Sequence, residues 1–350
     1  MTQFEHRQSA HCESGVMASM LTHYGLPMSE PMAFGLSGAL AFAYIPFVKV
    51  SGMPLFGYRM PPGSLIRGLR KRLGLKMVRE RFRNPEAGMA QLDAALQQGR
   101  PVGLQTSVYW LPYFPPDMRF HFNAHNLIVF GRTPDGYQIS DPVFEEPVEC
   151  PRQDLQKARF AKGLFAAKGL LYYPAHVPTS IDFGSAIKKA IRSNHRLMAK
   201  APLPLLGIRG IRYLANDIAK RGRDGGKASH LKMFLAHIVR MQEEIGTGGA
   251  GFRFLYASFL QEASQHVQTS LLQQASEQIQ LDVQRQECED MRGEIAALSA
   301  RVKGLLPYER LHKVTSARER EGAIGVGSVA AEPARPRTRR RSRTSLRAAS

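Results

Sequence analysis

Residues 125–142, HNLIVFGRTPDGYQISDP, limit the fold more than any other stretch of this chain. Two apolar, strand-forming runs, HNLIVFG and YQISDP, are separated by RTPDG, whose Pro, Asp and Gly supply turn chemistry, so the segment reads as an antiparallel hairpin. A hairpin turning near Thr133 to Gly136 returns Asp141, at the end of the second strand, to within about one residue pair of His125, at the start of the first. Their sixteen-residue separation is even, so an unbulged register centred nearby can put both side chains on one face.

An Asp against one imidazole nitrogen fixes the tautomer and steadies the imidazolium, which frees the other nitrogen to act on a nucleophile. A candidate nucleophile stands at Cys12. From Glu13 to Tyr24 the apolar residues Val16, Met17, Met20, Leu21 and Tyr24 recur at helical steps, and Gly25 is a natural stop. Cys12 therefore begins a helix, where the positive end of the dipole favours a thiolate. A lone cysteine at a helix start is more often a small buried residue, so the His–Asp pair is what points to chemistry. His121, four positions before His125, is a rival base because a slipped strand start would move the site onto it.

Other constellations are weaker. A metal site could draw on His11, Cys12, His121 and His125, but strand geometry separates the HxxxH pair, so neither a metal nor any other cofactor is expected. GLSG at Gly35 to Gly38 is not a five-residue nucleophile elbow, and GTGGAG lacks the strand and Lys-Ser/Thr of a phosphate loop. Cys150 and Cys288 have no positioned base nearby.

The chain of 350 residues, 43% hydrophobic and 22% charged, can bury a core and is long enough for two domains. Three widely spaced cysteines build no disulfide framework, which suits a reducing, cytoplasmic setting. The opening MTQFEHRQSAHCESG lacks the pattern of a secretion signal, and no run reaches about 18 apolar residues, so no membrane span is expected. The formal charge of +19 favours acidic partners, although seven arginines between Arg335 and Arg347 carry much of it.

Between Asn84 and Gln98 an Asn cap, a first-turn Pro and apolar Met89, Leu92 and Leu96 predict a helix, and PVGLQTSVYW after it a strand. The segment from Phe34 to Pro46 has no clear period and suits a buried strand, a hairpin or an acyl-binding wall. GLLYYP at Gly169 to Pro174 closes the first domain. Helical stretches follow at about 181–200, 207–221 and 228–245, then GTGGAG, then a long helical pattern from Phe252 to about Val302. Beyond Ala317 the chain has too few large apolar residues to offset the entropy of ordering. The organisation read from this is residues 1–177, 178–317 as a helical domain, and 318–350 as a disordered Arg-rich tail.

The order of helix-start Cys, QQGRPVGLQ, strand-initial His and strand-final Asp-Pro resembles the papain-like bacteriocin-processing peptidases over about the first 175 residues. HCESGVMASMLTHYG, FGLSGALAFAY, AHNLIVFG and ISDP together resemble the N-terminal domain of the butirosin-biosynthesis acyltransferase (BtrH-like) family. GTGGAGFRFLYASFLQEAS resembles the helical domain that accompanies it. The resemblance implies an α+β, papain-like cysteine-enzyme domain with an antiparallel sheet, followed by an α-helical domain. It further implies acyl transfer from a carrier-protein thioester to an amine in secondary metabolism, with Cys12 as nucleophile, His125 as base and Asp141 as orienting acid. Papain-like peptidases use an upstream Gln as oxyanion donor, which maps onto Gln8 or Gln3, and the amide of Cys12 is a second candidate.

Two other functions fit the same residues. Water in place of the amine makes a peptidase, amidase or thioesterase, and loss of catalysis makes a binding protein whose basic tail engages an anionic partner. The arginine run lacks interleaved aromatics, so nucleic acid is not the expected partner. The Met- and Phe-rich segment from Met32 to Phe56 could receive an acyl chain. Oligomeric state is left open.

Overall fold

The hairpin of residues 125–142 forms two inner strands of a six-stranded antiparallel sheet in the computed structural model. The structure describes residues 3–50, 52–223, 228–244, 247 and 249–281, all within one compact unit, Met1–Arg285. Cys288, the end of the long helical pattern and the arginine tail lie outside the described residues.

In chain order the elements begin with α1 (Cys12–His23), α2 (Glu30–Ser37), β1 (Leu40–Val50), β2 (Met53–Arg59), α3 (Ser64–Leu73), β3 (Lys76–Glu80), α4 (Pro85–Gln97) and β4 (Val102–Thr106). They continue with β5 (His125–Arg132), β6 (Gly136–Ser140), β7 (Val148–Pro151), α5 (Arg152–Phe160) and β8 (Leu171–His176). The helices α6 (Phe183–Ala199), α7 (Gly207–Arg223), α8 (Ala228–Val239) and α9 (Arg253–Val267) follow. The sheet order is β3-β8-β4-β5-β6-β7, so GLLYYP enters the sheet as β8 between β3 and β4. Helix α1 lies against β4, β5 and β8, and its Val16, Met17, Met20 and Leu21 are fully buried.

The hairpin departs from its simplest reading in one respect. Arg132 pairs with Tyr137 and Gly131 with Gln138, but the register then shifts, and Val129 pairs with Ile139 and Ile128 with Ser140. Continued unbroken from the turn, the first register would set Asp141 opposite Ile128 and leave it on the face away from His125. The bulge at Phe130 moves Asp141 across to Leu127, whose side chain shares the His125 face. An unbulged hairpin with this turn would not have joined the pair.

Helix α4 forms as predicted, with Asn84 Oδ1 accepting from the amides of Glu86 at 2.8 Å and Ala87 at 3.3 Å. PVGLQTSVYW is strand only to Thr106. The Ser107 amide leaves the sheet for the carbonyl of Ala158, and Val108–Trp110 winds into a 3-10 turn. The undecided stretch from Phe34 is helix to Ser37, turns at Gly38 with φ 63°, and becomes β1. Strands β1 and β2 form a separate ribbon whose Phe42, Tyr44 and Phe56 make a small core with Leu214 of α7 and Phe234 of α8. The helical pattern after Phe252 breaks at Gln268, where φ is 50°, and resumes over 270–281. No helix among the described residues is long and apolar enough to cross a membrane.

Candidate active site

Cys12 is the first residue of α1 and carries a free, partly exposed thiol. His11 caps the helix, its ring accepting from the Ser14 amide at 3.3 Å. The carboxylate of Glu30, at the first turn of α2, takes the amides of Ala10 and His11 and the hydroxyl of Ser14, each at 2.8 Å. Burial raises the pKa of this carboxyl, against the lowering effect of those three donors. The start of α1, which carries Cys12, is thus held by a second helix and does not depend on its own cap alone.

His125 opens β5 opposite Thr106 of β4 and is 4% exposed. Its Nε2 meets Oδ2 of Asp141 at 2.7 Å, and the Cys12 side chain lies within electrostatic reach of the ring. Because Asp141 occupies Nε2, the nitrogen presented to the thiol is Nδ1. Burial works to depress the imidazole pKa, but the charge and hydrogen bond of Asp141, followed by Cys12, outweigh it and push it up to about 10. Phe114 stands edge-on to the ring at 5.5 Å.

Asp141 lies one residue beyond β6 and is fully buried. Its Oδ2 also accepts from the hydroxyl of Tyr113 at 2.9 Å and its Oδ1 from the amide of Val143 at 3.1 Å. A buried carboxylate with three donors is satisfied as an anion and oriented as an acceptor for the ring. Burial, then the adjacent Asp141 charge, holds the Tyr113 hydroxyl well above its ordinary range, so it stays a donor.

The other candidates fall elsewhere. His121 is exposed and stacks on Tyr109 at 4.1 Å, outside β5. Gln8 donates its side-chain amide to the carbonyl of Val143 at 3.2 Å, while Gln3 is exposed. Gln8 is there because the N-terminal segment is laced to the Asp141 loop through Ser9 N–H to Pro142 and the His6 ring to Ser140 and Phe144. Cys150 is buried, which pushes its thiol up to about 12. Phe42, Tyr44 and Phe56, from the segment expected to receive an acyl chain, are packed against α7 and α8.

Some supporting groups gave no usable signal in sequence. Tyr113 sits in an aromatic, Pro-rich loop that says nothing of its target. Glu13, beside Cys12, is fully buried against Arg59 of β2 at 3.2 Å and the amide of Ile66 at 3.3 Å. Glu30 was more accessible, since the run Ser-Glu-Pro marks a helix start.

A cysteine at the head of a buried helix, meeting a His–Asp pair carried by an antiparallel sheet, defines a papain-like cysteine-enzyme domain. Residues 11–142 match the family model Butirosin biosynthesis protein H, N-terminal, and residues 153–283 match Domain of unknown function (DUF4872). The first part of the chain is thus similar to the N-terminal domain of butirosin biosynthesis protein H, and the second part to that domain of unknown function. No curated protein matches it. Among solved structures it is similar to a Bacillus anthracis chain assigned as a C39-like peptidase, with 18% identity and a TM-score of 0.34, over 51% of this chain and 95% of that one.

Proposed function

We propose that this chain is a cysteine-dependent acyltransferase that moves an acyl group from a carrier-protein or similar thioester to an amine. The observation that carries the reading is the buried His125 ring, bound through Nε2 to Asp141 at 2.7 Å and within electrostatic reach of Cys12 at the head of α1. The match of residues 11–142 to the N-terminal domain of a butirosin biosynthesis protein supports a biosynthetic role for this cysteine chemistry.

In this mechanism the Cys12 thiolate attacks the thioester carbonyl, and the departing thiol takes its proton from the His125 imidazolium. The amine then attacks the acyl-cysteine and yields a proton to the imidazole, which releases the amide and restores the thiolate–imidazolium pair. The Cys12 amide, one of the free N–H groups of the first helical turn, suits the oxyanion better than Gln8, whose amide is directed to Val143.

The test is intact-protein mass after mixing with a panel of acyl-carrier and acyl-N-acetylcysteamine thioesters, with Cys12→Ala as control. The expected result is an acyl adduct dependent on Cys12 and discharged faster by added amines than by water. Discharge by water alone assigns the same three residues to a hydrolase. Absence of any adduct or Cys12-dependent turnover across the panel overturns the proposal.

A further inference from the structure

Four consecutive residues at the junction before α9 have positive φ: Gly249 at 82°, Ala250 at 49°, Gly251 at 57° and Phe252 at 70°. Two of them carry side chains that disfavour this region, and such conformations persist only where the surroundings over-determine them. The surroundings here are specific. The amide of Ala250 donates to Glu243 at 2.7 Å, and its carbonyl accepts from Arg253 Nε at 2.7 Å. Gly251 lies so close to Tyr58 of β2 that a Cβ would come within 2.4 Å of the ring.

The product of this constrained turn is the position of one ring. Phe252, 3% exposed, stacks on Phe34 of α2 at 4.9 Å with a 4° interplanar angle, and stands edge-on to His11 at 5.0 Å. His11 is the cap of the nucleophile helix and the residue before Cys12. It is also within electrostatic reach of His125 and Arg59, and burial, the larger cause, holds its imidazole neutral. A residue from the domain of unknown function therefore forms part of the buried packing around His11, next to the proposed nucleophile.

We infer that the 249–252 turn is the second domain's contribution to the active site, with Phe252 as a positioning residue that clamps His11 and narrows the access of water to the partly exposed Cys12. Its purpose rests on the acyl-transfer reading: an acyl-enzyme that must wait for an amine survives only where water is excluded.

The experiment uses the full chain, comparing wild type with Phe252→Ala and Phe252→Leu, each checked for a cooperative thermal transition. The first readout needs no substrate: the rate of Cys12 alkylation by iodoacetamide, located by peptide mapping. It should rise about fivefold or more in Phe252→Ala and about twofold in Phe252→Leu, as opening the packing admits solvent and reagent. Phe252→Leu decides the matter if the alanine variant does not fold. The second readout is the lifetime in plain buffer of the adduct formed from an acyl-N-acetylcysteamine thioester, which should shorten in step. Unchanged alkylation in the folded variants overturns the inference, and so does an adduct whose lifetime does not change. Faster alkylation with no adduct in the wild type keeps the seal and discards acyl transfer.

Discussion

At the scale of single residues, the site depends on a buried histidine kept cationic by a buried carboxylate. Asp141→Asn preserves shape and removes the charge, so Cys12-dependent turnover should fall by about two to four orders of magnitude, measured as kcat with an accepted thioester. The same pair sets a pH dependence of stability. The His125 pKa is raised from an ordinary 6.5 to about 10 on folding, so the stabilisation is complete below 6.5 and is lost as pH rises through about 10. The unfolding free energy of wild type should therefore exceed that of Asp141→Asn at pH 6, with the gap closing by pH 10. A gap that stays constant would mean that the imidazole is not charged by Asp141.

At the scale of elements, the bulge at Phe130 decides whether His125 and Asp141 share a face. Deleting Phe130 removes the extra residue and leaves Val129 opposite Ile139 and Ile128 opposite Ser140, so it should keep Asp141 on the His125 face, leave secondary structure by circular dichroism intact and retain Cys12-dependent turnover. Asn84→Ala tests a purely structural cap and should cost about 1 kcal/mol in urea unfolding with kcat unchanged. The hairpin, the start of α1 and the cap of α4 were legible in sequence because each rests on neighbours a few residues apart. The bulge was not legible, since a one-residue shift leaves the apolar alternation of HNLIVFG unaltered and is settled by pairing with β4 on the far side.

At the scale of the whole molecule, the helical region is packed into the cysteine-enzyme domain. Gly35 of α2 touches Phe259 of α9 so closely that a Cβ would lie within 1.9 Å of the ring, and Ser29 donates to Glu262 at 2.6 Å. Gly35→Ala should therefore lower stability by about 1–3 kcal/mol through overpacking, read from the urea midpoint. Truncation after residue 177 would strip the β1–β2 ribbon of α7 and α8 and uncover Phe34. The truncated chain is expected to lose its cooperative thermal transition, and a sharp transition near the wild-type temperature would refute this dependence.

Residue order alone placed Cys12 at a helix start and His125 and Asp141 on one hairpin, because periodicity and turn chemistry act over short spans of chain. Tertiary structure decided which face Asp141 takes, that His125 and not the exposed His121 meets it, and that Gln8 turns to Val143. It also brought Tyr113 onto the carboxylate, Glu30 under the start of α1 and Phe252 beside His11. These outcomes depend on burial and on contacts between residues distant in sequence, where the cost of an unpaired buried charge, and no local preference, selects the partner.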